Sequence, residues 1–200
     1  PTEMQLVAII LFMVPVLLLV AWTIRERRMR VAVLEGLLST SSTVSLAAYA
    51  DAIGRRSPDV QTLHAASRRS RNALLTFSGL TVVSRPLLKR HLVRELKERG
   101  SLSLTKESAR WDLTEPAMAE GLDIVLTKDG SYILVPEMKG RIRDALQLHG
   151  RFDLRSEAQR IRVDPEEISR LVRQWGWALL VTSGGTVFSE KWLSNALEKA

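Results

Sequence analysis

The sequence of 200 residues contains no cysteine and only three histidines. The lack of cysteine excludes disulfide bonds, thiolate metal sites and any mechanism that carries a covalent thioester on a sulfur of this chain. The histidines stand in different segments, and none has a second histidine or a Glu-x-x-His pattern beside it: they are His64, His91 and His149. This spacing argues against a histidine-based metal or catalytic site.

Enzyme motifs of other kinds are also missing. No Gly-Lys-Ser/Thr step marks a phosphate-binding loop, and Asp129-Gly130 and Ser183-Gly184-Gly185 are typical of tight turns. The sequence has no Ser/His/Asp grouping and no paired-carboxylate signature. We therefore expect a protein that is not an enzyme and that uses no cofactor and no metal.

The longest uncharged run is Met4–Ile24. A helix of this length, at ~1.5 Å rise per residue, spans the ~30 Å hydrocarbon core of a bilayer. The run has no basic n-region before it, which favours an uncleaved anchor over a signal peptide. In this interpretation the arginines that follow flank the membrane. Because positive charge marks the cytoplasmic side, they predict a single pass with the N-terminus outside or lumenal and the later domains cytoplasmic. These arginines are Arg25, Arg27, Arg28 and Arg30.

A repeat of about 50 residues occupies the rest of the chain. Glycine and apolar positions from Gly100 to Leu113 recur from Gly150 to Val163, and the hairpin Gly130–Leu134 recurs at Gly184–Phe188. A fainter copy begins at Val44. Each copy predicts a helix, a short strand, two helices and a hairpin, which is the order of a winged-helix domain. We call the copies the first, second and third modules.

The predicted fold class is mainly α with small β-hairpins, in which an N-terminal transmembrane helix precedes tandem winged-helix (helix-turn-helix) domains. The predicted boundaries are 1–28 for the anchor and its basic flank, 29–84 for the first module, 85–136 for the second, and 137–200 for the third with a C-terminal helix.

Capping residues predict several helix starts inside the modules. They are Ser57-Pro58 in the first module, Ser84 with Pro86 for a helix that runs to Arg99, and Asp164-Pro165 with Glu167 as a capping box in the third module. A final helix is predicted over Glu190–Lys199, and a hairpin over Ile124–Leu126 and Tyr132–Val135.

Winged-helix domains often place their third helix in the DNA major groove, but the charge of these helices argues against that use here. In the second module this helix carries Glu115, Glu120 and Asp123 and no basic residue. Only the first module offers a basic cluster suited to phosphate or to an acidic partner, Arg68, Arg69 and Arg71. The alternatives for this cluster are a solvated face and a face towards lipid.

Three tryptophans gather in the third module, Trp175, Trp177 and Trp192. We expect Trp175 in the core and predict that Trp177 or Trp192 is an exposed anchor for a protein partner.

One run of the sequence resembles a known family. It consists of Asp129-Gly130, Tyr132-Ile133, Pro136-Glu137, Ile142-Arg143-Asp144, Leu146 and Gly150-Arg151. It resembles the winged-helix repeats of the E3 ligase for the ubiquitin-fold modifier and of its membrane adaptor, the DDRGK-domain protein. Where the adaptor has Asp-Asp-Arg-Gly-Lys, this chain has Thr127–Ser131. The resemblance implies a non-catalytic scaffold, and Tyr132 and Arg151 within it join Trp177 and Trp192 as candidate partner-binding residues.

The expected function is a single-pass membrane-anchored adaptor whose tandem winged-helix domains bind ligase or membrane-complex subunits in a ubiquitin-like modifier pathway. Two alternatives remain open. One is a membrane-tethered DNA-binding regulator that uses Arg68, Arg69 and Arg71. The other is a structural accessory subunit of a larger membrane complex.

Overall fold

The fold was obtained as a computed structural model, which describes residues 3–57, 59–177, 179–182, 185–190, 193–194 and 198. Side chains are described from Met13 onward, except at 179–181. The helices are α1 Glu3–Thr40, α2 Leu46–Ala52, α3 Val60–Ser67, α4 Arg85–Arg99, α5 Leu104–Trp111, α6 Glu115–Ala119, α7 Val135–His149, α8 Leu154–Ile161 and α9 Pro165–Gln174. The strands are β1 Thr43–Ser45, β2 Ala73–Leu75, β3 Thr81–Ser84, β4 Ile124–Leu126, β5 Tyr132–Leu134, β6 Arg151–Asp153, β7 Leu179–Val181 and β8 Thr186–Ser189.

The order of these elements repeats along the chain. The first sheet has the order β1-β3-β2 and the third has the order β6-β8-β7, with every pair antiparallel. The second sheet is the hairpin β4-β5, to which Leu102 adds a single bridge opposite Tyr132. The fold is therefore mainly helical with small antiparallel sheets, and it is consistent with winged-helix-like units.

Two compact units divide the chain. The N-terminal unit consists of Pro1–Lys89 and Ala109–Ala117, and the C-terminal unit of Arg90–Ser108 and Met118–Ala200. The three predicted modules and their boundaries stay predictions.

The predicted anchor lies in α1, which continues without a break to Thr40 and contains Pro15. Residues 4–12 of the anchor lie outside those whose side chains are described. Within the part of the chain that the structure describes, no helix combines the length and the apolar character needed to cross a bilayer. The predicted transmembrane helix is therefore not found there.

Apolar side chains at helical spacing form the core of the N-terminal unit. Leu34 and Leu38 of α1 are buried against Tyr49 of α2, Leu63 of α3 and Val82 of β3. This spacing of four residues puts both leucines on one face of α1. The second half of α1 is therefore part of the core of the N-terminal unit.

The core of the C-terminal unit has the same construction. Met138 and Ile142 of α7 pack with Leu154 of α8, Ile168 of α9 and Val187 of β8, and all five are at most 2% exposed. Burying a side chain of this size stabilises a fold by about 1.5–3 kcal/mol. These contacts join the three helices of the third module to the strand β8.

Candidate functional site

A basic groove lies in the N-terminal unit beside α1. It is lined by Ile24, Arg27, Arg28, Val31, Ala32, Glu35 and Arg69 and has a volume of about 470 Å³. The six residues from α1 occupy positions i, i+3, i+4, i+7, i+8 and i+11, which form one face of that helix. Arg69 comes from the turn directly after α3. The structure thus brings together one arginine of the predicted phosphate cluster and two of the predicted membrane-flanking arginines.

The charge of the basic groove is positive. Three guanidinium groups face one carboxylate, that of Glu35, and this carboxylate accepts a hydrogen bond of 2.9 Å from the Ser70 hydroxyl. Ile24, Val31 and Ala32 supply an apolar strip between the charges. Guanidinium groups bind phosphate and carboxylate well, so the groove fits a ligand that has both an anionic and an apolar part.

The remaining predicted basic residues have other positions. Arg30 is half-buried and forms an ion pair with Glu26, and its carbonyl accepts a 3.2 Å hydrogen bond from the Tyr49 hydroxyl. Burial raises the pKa of Tyr49, which keeps its hydroxyl protonated and able to donate. Arg30 therefore has a structural role. Exposed positions outside the groove are those of Arg25, Arg68 and Arg71.

An aromatic cluster lies in the third module. The ring centroids of Trp175 and Trp177 are 5.0 Å apart, and the rings are tilted by 50°. The Lys139 ammonium lies 5.4 Å and 5.5 Å from these two centroids, and the Arg143 guanidinium lies 5.6 Å from that of Trp177. These are distances for cation–π attraction. Both tryptophans are half-buried against the core, so Trp177 is only partly accessible.

Two of the other predicted partner-binding residues lie on strands. Tyr132 is half-buried in β5, opposite Leu126. Arg151 is exposed at the start of β6, opposite Phe188. Trp192 lies outside the described residues.

The third helices carry little charge that could bind DNA. The helix α6 has no basic residue. In α9, Arg170 donates to the Glu167 carboxylate, through Nε at 2.9 Å and through a second guanidinium nitrogen. This hydrogen bond lowers the pKa of Glu167, so the pair stays charged at neutral pH. A paired arginine contributes less to phosphate binding, because its bond to the carboxylate must first be broken.

No protein-family model matches the sequence, and a search of curated proteins finds no relative. The candidate functions therefore depend on the fold and on the surfaces described above.

Two buried carboxylates were not recognised from the sequence. Glu107 and Glu157 are 50 positions apart, and each faces a basic residue of the first helix of its module: His91 at 3.9 Å and Arg141 at 4.0 Å. Glu157 also accepts from Arg160, through Nε at 2.7 Å. Both glutamates belong to the predicted repeat, and this recurrence is the sequence signal that could have identified them. Among the described residues, no group of three metal-ligating side chains forms a metal site.

Proposed function

We propose that the chain is a non-catalytic adaptor that binds protein partners through tandem winged-helix modules and is attached to a membrane by its apolar N-terminal segment. The placement of the basic side chains carries this proposal. Three arginines line the basic groove beside the apolar segment, whereas α6 has no basic residue and α9 carries Glu166 and Glu167 beside its two arginines, Arg170 and Arg173. A DNA-binding row of modules needs the opposite arrangement.

Membrane attachment is supported by the surface of α1. Its large apolar side chains before the arginines are exposed, namely Met13, Val14, Val16, Leu17, Leu18, Leu19, Val20, Trp22 and Ile24. An exposed apolar surface of this extent is typical of a membrane-binding or partner-binding segment. The arginines of the basic groove follow directly, where anionic lipid headgroups attract positive charge.

Protein binding is supported by the aromatic cluster. Tryptophan and arginine are the residue types that most often dominate the energy of protein interfaces, and Trp177 and Arg143 lie together there. The resemblance of residues 129–151 to the modifier ligase and its adaptor favours partners in a ubiquitin-fold-modifier ligase complex.

The test is chemical crosslinking of the full chain in native membranes, followed by mass spectrometry of the partners. We expect a defined partner crosslinked through Lys139, which lies beside both tryptophans. The variant Arg143→Glu should lose this partner, and Arg173→Glu, an exposed arginine of α9, should retain it. Equal partner recovery in both variants would contradict the proposed surface.

A second candidate, a membrane-tethered DNA-binding regulator, is favoured by the exposure of Arg68, Arg69 and Arg71. It predicts duplex binding that falls steeply with salt and is lost when the three arginines are changed to glutamate. A gel-shift series with the full chain decides between the candidates, because an adaptor gives no such binding.

A further inference from the structure

The basic groove takes its arginines from two segments of the N-terminal unit. Arg27 and Arg28 lie on α1, and Arg69 lies in the turn directly after α3. All three side chains are exposed, and none of them belongs to an ion pair among the residues that the structure describes. Each guanidinium group can donate two parallel hydrogen bonds to one anion. The groove therefore presents three strong donor groups to an anionic ligand.

The charge balance of the groove indicates the class of anion. One carboxylate lines the groove beside the three guanidinium groups, that of Glu35, and it accepts the hydrogen bond from the Ser70 hydroxyl. Two positive charges therefore remain in excess. A phosphate monoester carries a charge of about −1.5 to −2 at neutral pH and has three acceptor oxygens, whereas a phosphodiester carries less charge. A monoester thus matches both the excess charge and the number of donor groups.

An apolar face of α1 continues from the groove towards the N-terminus of the helix. Its large side chains are exposed and are spaced by four, three and four positions: Met13, Leu17, Val20 and Ile24. This spacing puts them on the side of α1 that carries the groove arginines, and Ile24 itself lines the groove. At the rise of an α-helix, the face is about 16 Å long. The basic groove and this apolar face therefore form one continuous surface.

We infer that the basic groove binds one phospholipid whose headgroup is a phosphate monoester, as in phosphatidic acid. The phosphate binds Arg27, Arg28 and Arg69, and an acyl chain lies along the apolar face of α1. The charge of the groove selects the monoester, and the length of the apolar face favours a long hydrocarbon chain over a soluble phosphate. This inference rests on the proposed membrane attachment and adds a specific lipid to it.

A lipid site differs from the general attraction of basic residues to an anionic membrane surface. General attraction depends on every arginine near the surface, whereas the site depends on the arginines that line the groove. Arg25 and Arg71 are exposed but do not line it. Arg25 is three positions from Arg28 on α1, and Arg71 is two positions from Arg69. They are therefore matched controls for the loss of one positive charge.

Native mass spectrometry of the full chain in a neutral detergent tests the site. Phosphatidic acid, phosphatidylserine or phosphatidylcholine is added at the same concentration, and the lipid retained by each chain is counted. We expect one retained molecule of phosphatidic acid per chain, at a level several-fold above that of phosphatidylserine. Arg28→Gln and Arg69→Gln should each weaken this retention about tenfold, because each removes charged hydrogen bonds to the phosphate. Arg25→Gln and Arg71→Gln should leave it nearly unchanged.

Equal retention of phosphatidic acid and phosphatidylserine would overturn the inference, and so would equal losses in Arg69→Gln and Arg71→Gln. Glycerol 3-phosphate has the same phosphate monoester but no acyl chain, and it would overturn the lipid as occupant if it displaced phosphatidic acid at an equal concentration. Flotation of the full chain with phosphatidylcholine vesicles tests the membrane attachment separately. A chain that floats but retains no phosphatidic acid overturns the lipid site alone, whereas a chain that does not float overturns the attachment and the site with it.

Discussion

The buried carboxylate of Glu157 should stabilise the third module more than a surface ion pair of the same geometry does. Glu157 binds Arg160 three residues later, and Glu167 binds Arg170 in the same way, with Nε distances of 2.7 and 2.9 Å. The two arginines are similarly exposed, but the Glu157 side chain is 10% exposed and the Glu167 side chain is 33% exposed. Both glutamates lie in the first turn of a helix, so the helix dipole affects them alike.

The matched variants are Glu157→Gln and Glu167→Gln, which remove the charge and keep the shape. A hydrogen bond to a charged group contributes about 1.5–3 kcal/mol when it is protected from water. Arg160 is half exposed and can be hydrated after the change, so we expect the lower end, about 1.5–2 kcal/mol, for Glu157→Gln. An exposed pair contributes about 0.2–1 kcal/mol, which is the expectation for Glu167→Gln.

The free energy of unfolding should be measured by urea denaturation of the full chain, followed through tryptophan fluorescence. Trp175 and Trp177 lie in the same module as both glutamates and report its unfolding. Equal losses in the two variants would refute the reasoning, because Glu157 is more buried than Glu167 and also faces Arg141 at 4.0 Å, and both differences predict the larger loss for Glu157→Gln. A larger loss in Glu167→Gln would refute it as well.

Two further predictions concern the turns of the first two hairpins, Thr76–Gly79 and Thr127–Gly130. Gly79→Ala should destabilise the chain more than Gly130→Ala. Both positions have a positive φ, but a Cβ at Gly79 would lie 2.8 Å from the His64 ring, whereas one at Gly130 has open space. Thermal unfolding of the two variants measures the difference. The hydrogen bond from the Thr127 hydroxyl lowers the pKa of Asp129 below its ordinary 3.8, so the contribution of this carboxylate is complete above that value and disappears as the pH falls through the lowered pKa. The stability difference between wild type and Asp129→Asn should accordingly vanish in acid, and a pH series of unfolding curves that shows a constant difference would contradict this.

Local signals in the sequence were sufficient for much of the fold. The hairpin around Asp129-Gly130 forms as predicted, with its second strand ending at Leu134. The helix predicted to run to Arg99 is α4. Asp164 caps α9 by accepting from the Glu166 N–H, also as predicted. These features depend on a few adjacent residues, so a linear pattern contains the information that determines them.

Other local predictions were wrong or lie outside the described residues. The N-cap of α3 is Asp59 and not Ser57, because its carboxylate accepts from the Gln61 N–H. In α9 the Glu167 carboxylate binds Arg170, so the predicted capping box is replaced by an ion pair. Several positions of the final helix predicted over 190–199 lie outside the described residues. The capping-box prediction was wrong because Glu167 has a possible partner three residues away on either side, Asp164 and Arg170. Both bonds fit the helix equally well.

The basic groove could not be predicted, because its residues come from two segments far apart in the sequence. In the sequence, Arg27 and Arg28 are typical of an orientation signal next to an apolar run. Arg69 is typical of a phosphate-binding cluster after a helix. Only the packing of α3 against α1, through Leu63 and Leu34, places the turn after α3 beside the arginine face of α1.

The distribution of ion pairs explains why the groove, and not a third helix, is the better site for an anionic ligand. Among the ion pairs of the described residues, none involves Arg27, Arg28 or Arg69. Arg170 of α9 is paired with Glu167. A ligand in the groove therefore gains three guanidinium contacts without breaking any of these pairs, whereas a phosphate at α9 must compete with a carboxylate that Arg170 already binds.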